Sequence, residues 1–87
     1  MDLKELREKI DFIDQQLIDL FSQRMQVAAQ IGAYKKEHNL PVLDPIREQE
    51  KLNEVAGKAG PELADATREL YQTLMRLSRE HQESSKE

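Results

Sequence analysis

The chain has no cysteine among its 87 residues. That excludes a disulfide framework, a thiolate nucleophile and any thiolate metal site. Its two histidines, His38 and His81, have no companion at metal-ligand spacing, so neither a metal nor another cofactor is expected. Basic charge is also lacking: 13 Lys and Arg stand against 17 Asp and Glu, a net charge of −4. No surface for nucleic acid or an anionic membrane is expected from such a balance. No apolar run approaches the roughly 20 residues of a membrane span. The opening MDLKELREK is charged where a secretory signal would be apolar, so the cytoplasm is the expected compartment. Hydrophobic residues make up only 38% of the chain and charged ones 34%. A lone core built from so little apolar material is marginal at this length, whereas long amphipathic helices that share a core with a partner chain are not.

What the sequence has is helical periodicity. Leu3, Leu6, Ile10, Ile13, Leu17, Leu20, Val27 and Ile31 recur at alternating three- and four-residue steps. Residues 3 to about 38 hold no proline, so one helix of about 36 residues and roughly 54 Å is expected. It is a rod that needs other helices alongside it. His38-Asn39-Leu40-Pro41 ends it, and residues 40–43 form a short extended connector. Asp44 can cap a second helix, with Pro45 at its first position; its span is about 45–57, stopping in Gly57-Lys58-Ala59-Gly60. Pro61 opens a third helix over about 61–82, with Leu63, Leu70, Leu74 and Leu77 on its apolar face. A polar tail, 83–87, is expected to be disordered. The expected architecture is a single all-α domain of three helices: long, short and medium.

Polar residues interrupt these apolar patterns. Arg24 occupies a seam position of the first helix. Buried, it must meet an anion, either a nearby Glu or Asp or a ligand. Lys35 lies within about 20° of the same helical face. The two α-carbons are roughly 16 Å apart along the axis, and both side chains are long enough to hold one small anion between them. Taken alone, Lys35 reads as a solvated flank lysine. Glu48 shares a face with Leu52 and Val55, yet could be an exposed partner of Lys51. Arg47 by itself is a surface residue, and Asp44 a cap. On the third helix, Tyr71, Leu74 and Met75 form a stripe that Ser78 and Gln82 extend; alternatively that helix simply fades into solvent. Together these residues place three cations and one anion on core-facing stripes of three helices, which suits a small polyanion. Arg7 lies roughly 26 Å along the helix from Arg24. Two arginines so far apart on one rod cannot grip the same small ligand. Arg7 would have to join such a site from a second chain, in an antiparallel homodimer with two equivalent pockets.

The segments LREKIDFIDQQLIDLFSQRMQVAAQIGAYKK and PVLDPIREQE, with the ending Ser78-x-x-x-Gln82, resemble the all-helical chorismate mutases, the AroQ or type II family. The match covers about residues 3–82. The resemblance implies an intertwined antiparallel homodimer and the Claisen [3,3] rearrangement of chorismate to prephenate, in phenylalanine and tyrosine biosynthesis by the shikimate route. It implies a site with Arg24, Lys35, Asp44, Arg47, Glu48, Ser78 and Gln82 from one chain and Arg7 from the other. Arg7 and Arg24 would clamp the carboxylates of the dianion, and Lys35 and Gln82 would donate to the ether oxygen. Glu48 would accept from the ring hydroxyl, and Arg47 with Ser78 would serve the ring carboxylate. No cofactor is implied. Two other functions share the pattern: an isochorismate–pyruvate lyase of the same fold, and a prephenate-sensing or dimerisation domain fused to another enzyme of aromatic biosynthesis. A plain structural helical hairpin leaves Arg24 unexplained.

Overall fold

The computed structural model describes residues 2–86. Three helices make up the fold: α1, Leu3–Glu37; α2, Pro45–Ala59; and α3, Ala64–Lys86. No strand occurs among the described residues. The Asp2 side chain caps α1 by accepting from the Glu5 amide at 2.9 Å. At the other end Asn39 takes a left-handed conformation, φ 55°. The amides of Leu40 and Asn39 then turn back onto the carbonyls of Lys35 and Lys36, at 2.8 and 3.3 Å. This is a Schellman closure with asparagine in the place glycine usually takes. Asp44 accepts from the Arg47 amide at 3.1 Å and starts α2.

Three boundaries depart from the sequence expectation. The second helix runs through Gly57 to Ala59 and stops only where Gly60 turns to φ 85°. Residues 61–63 form a turn, closed by the Leu63 amide on the Gly60 carbonyl, so the third helix begins at Ala64 rather than Pro61. At its far end α3 does not fade near Gln82 but stays helical through Lys86; Glu87 lies outside the described residues.

α3 is the central element. It packs against α1 on one side and α2 on the other, while α1 and α2 do not pack on each other. The longest dimension of the molecule is 54 Å, close to the roughly 52 Å rise of a 35-residue helix such as α1. The radius of gyration is 16.0 Å, against about 12 Å for a compact domain of this length. The intrachain core is correspondingly small: Ala28, Val42, Ala56 and Met75 are its buried apolar residues.

Burial is distributed unevenly along α1. Every residue from 2 to 23 is exposed, and the seam Leu3, Leu6, Ile10, Ile13, Leu17 and Leu20 lies open. Val27 and Ile31 are exposed as well. The buried positions of α1 are Ala28 and Gly32, one residue further round the helix. Gly32 permits this packing: a Cβ there would stand 2.8 Å from the Gln82 carbonyl oxygen and 2.9 Å from its Cα. Any side chain would push the two backbones apart. α3 therefore docks on the small residues Ala28 and Gly32, one and two turns beyond Arg24, and the large apolar seam beside them is left uncovered. Leu63, in the turn before α3, and Leu70 of α3, both expected on an apolar face, are also exposed; the line Met75, Ser78 and Gln82 is what the fold buries.

Candidate active site

The C-terminal half of α1, the connector and the α2–α3 pair enclose a cleft of about 750 Å³. That volume suits a small molecule. Its apolar wall includes Val27, Ile31, Val42 and Met75. Arg24, Lys35, Asp44, Arg47, Glu48, Ser78 and Gln82 all line it. Arg7 does not; it is exposed on the bare part of α1.

Arg24 is half-buried, and its Nη1 donates to the Ser78 hydroxyl. Its guanidinium carbon lies 6.0 Å from the centroid of the Tyr71 ring, at the outer edge of cation–π range. No carboxylate among the described residues pairs with it. The local salt bridge that the sequence left open is not formed. Lys35 donates to the Val42 carbonyl at 2.7 Å, which ties the connector to α1. An ammonium has three donors, so two remain. Lys35 is half-buried rather than a free flank lysine.

The carboxylates of the cleft are already occupied. Glu54 is held by Lys51 at 2.9 Å and Lys58 at 2.8 Å. Hydrogen bonds from Lys58 first, then Lys51, bring the Glu54 carboxyl from 4.5 down to about 2, and Glu54 in turn raises Lys58. Glu48 does not pair with Lys51, the bland alternative that its spacing allowed. Both of its oxygens accept from Arg79 Nη1, at 2.5 and 2.6 Å. Asp44 spends an oxygen on its cap. Arg24, Lys35 and Arg47 are then left on the lining without a carboxylate partner among the described residues. The free charge of the cleft is positive, in a chain that is negative overall.

Ser78 and Gln82 are buried, each 7% exposed. Gln82 Oε1 is sealed from solvent and accepts no hydrogen bond from any described residue. A buried amide without a partner costs about 1–3 kcal/mol, a cost that a polar ligand in the cleft would relieve. A half-turn of the amide exchanges its oxygen and nitrogen, so the position can also donate. Arg79 and Gly32 are the contributors that sequence reasoning missed. Met75, Arg79 and Gln82 follow an i, i+4, i+7 spacing, so the signal for Arg79 was present. Gly32 stood out in the sequence only as a weak helix former.

Comparison with known proteins gives consistent matches. A family model described as chorismate mutase type II matches residues 6–83. The T-protein of Haemophilus influenzae is 36% identical over 74 residues, which is 85% of this chain and 19% of that protein. The bifunctional chorismate mutase/prephenate dehydratase of Aquifex aeolicus is 41% identical over 54 residues, 62% of this chain and 15% of its own length. The chorismate mutase of Methanocaldococcus jannaschii is 36% identical over 47 residues, 54% of this chain and 48% of that one. The chain thus spans less than a fifth of the first two of these curated relatives. No solved structure matches significantly.

Proposed function

The chain belongs to the type II chorismate mutase family, and from that premise we propose that it rearranges chorismate to prephenate. The observation that carries this is the set of cations, Arg24, Lys35 and Arg47, left without carboxylate partners among the described residues, around a cleft lined by the buried Gln82 amide. Such a cleft is built to receive a small dianion with an internal acceptor oxygen.

The rearrangement is unimolecular: the ether C–O bond breaks while a C–C bond forms between the termini of the same molecule. It asks for no nucleophile and no net proton transfer. What the protein must do is hold the flexible dianion with its enolpyruvyl arm folded over the ring. Arg24, oriented by Ser78, presents a guanidinium fork to one carboxylate. Arg47 and the Ser78 hydroxyl serve the ring carboxylate. Holding the reactive conformer removes the entropy of finding it. Negative charge builds on the ether oxygen as the C–O bond lengthens, and Lys35 and Gln82 donate there. One preorganised donor in a water-poor site is worth about 3 kcal/mol. Glu48 accepts from the ring hydroxyl, and Asp44 holds the start of α2 in place.

Arg7 completes the site from a second copy in an intertwined antiparallel homodimer. The long exposed seam of α1 supports this: a second α1 laid across it buries both seams, at roughly 1.5–3 kcal/mol for each large side chain fully covered. Addition of chorismate to the pure chain tests the proposal. Loss of its ultraviolet absorbance with formation of prephenate is expected. Binding of prephenate without any conversion of chorismate would leave instead a sensing domain. For the shared site, mixing inactive Arg7→Ala with inactive Arg24→Ala chains should restore activity, because a mixed dimer keeps one intact site. No recovery after verified subunit exchange would remove Arg7.

A further inference from the structure

Among the described residues Glu48 is the carboxylate of the cleft that forms an ion pair with α3, and its partner is Arg79. The pair is part-buried, with side chains 24% and 32% exposed, and joins residues 31 apart in sequence. We propose that Arg79 is a positioning residue for Glu48, holding it aimed as the acceptor for the substrate hydroxyl; this rests on the chorismate mutase function proposed above.

Two physical considerations lead there. The first is charge. Glu48 lines the same cleft as Lys35 and Arg24 of α1 and Arg47 of α2, none of which has a carboxylate partner among the described residues. A loose carboxylate would swing onto one of them and neutralise a cation that the dianion needs. Arg79 supplies Glu48 with its own counter-charge from α3. Lys51, the other cation of α2 close in sequence, is taken by Glu54. The second is lone-pair arithmetic. A carboxylate offers about four acceptor sites, and Arg79 Nη1 takes one on each oxygen. Each oxygen keeps one for an incoming hydroxyl, so Arg79 orients Glu48 without blocking it.

The test is a double-mutant cycle on chorismate turnover with Arg79→Met, Arg79→Lys and Glu48→Gln. Arg79→Met should lower kcat/KM by about 10-fold, and Arg79→Lys should restore most of that. In a Glu48→Gln background Arg79→Met should change kcat/KM by less than about 3-fold, because the group it positions has been replaced. Equal losses in both backgrounds would show that Arg79 only braces α2 against α3, and would overturn the proposal. So would a gain of activity in Arg79→Met, which would mean that Arg79 competes with substrate for Glu48. If the wild-type chain does not convert chorismate, the functional proposal fails by itself; the same cycle is then read in the dissociation constant of prephenate, with the same pattern expected. Independently of activity, a crystal structure of Arg79→Met should show Glu48 turned to Lys35, Arg24 or Arg47. An unchanged Glu48 rotamer would also overturn the proposal.

Discussion

The two halves of α1 invert the usual rule of burial. Residues 2–23 carry large apolar side chains and every one is exposed. Residues 24–37 meet α3, and there the fold buries small residues beside Arg24 and Lys35, over Ser78 and Gln82. A soluble domain ordinarily keeps its leucines in and its arginines out. Here the apolar half is left bare and the polar half is enclosed. Under the function proposed above the difference separates two tasks: the bare half would be surface for another chain, the enclosed half surface for a charged ligand, with stability drawn from one and chemistry from the other.

The largest expected effect comes from spoiling the bare half. Ile13→Asp puts a carboxylate in the middle of the open seam. Sedimentation should show loss of the dimer, circular dichroism loss of helix, and turnover should vanish, although residue 13 is far from the cleft. A folded, fully active Ile13→Asp monomer would break the comparison outright. The next effect spoils the enclosed half alone. Arg24→Ala should lower kcat/KM by about 100-fold or more, the scale of one preorganised charged contact, while sedimentation still shows a dimer. Wild-type kinetics would remove Arg24 from the site.

A smaller effect probes the contact that shapes the enclosed half. Gly32→Ala places a methyl 2.8 Å from the Gln82 carbonyl oxygen, so α3 must move away. We expect kcat to fall about 10-fold with KM little changed if, as proposed, Gln82 acts on the ether oxygen as charge develops. A change in KM alone would argue against that role. The smallest effect is at the exposed rim. The folded Glu54 carboxyl sits at about 2, below its ordinary 4.5, so its pairs stabilise the fold above pH 4.5, and that increment is lost as pH falls towards 2. Glu54→Gln should slightly lower Tm at neutral pH and make the decline of Tm between those two values shallower. An identical pH profile for the variant would show that the rim pairs contribute nothing measurable.

The helix count was legible in the sequence because periodicity and caps are local. Asp44 and Pro45 announced α2 as they stand, and Asn39 closed α1 where the chain meets Leu40-Pro41. The limits of α3 were less legible: Pro61 looked like a helix start, but the turn closed on Gly60 delays it to Ala64. The charged residues of the site were visible as interruptions of apolar stripes. Their partners were not. Spacing offered Lys51 to Glu48, and the fold supplied Arg79, because a contact between helices depends on which faces meet and not on distance along the chain.

The sequence by itself determined three helices, their polarity and the supply of cations, since each follows from residues within a turn or two of one another. Tertiary structure alone decided which stripe of α1 receives α3. A glycine lets two backbones come within contact distance, so α3 settles on Ala28 and Gly32 and leaves the seam beside them open. The same docking turned Arg24 to a hydroxyl rather than a carboxylate, which leaves its charge free for a ligand.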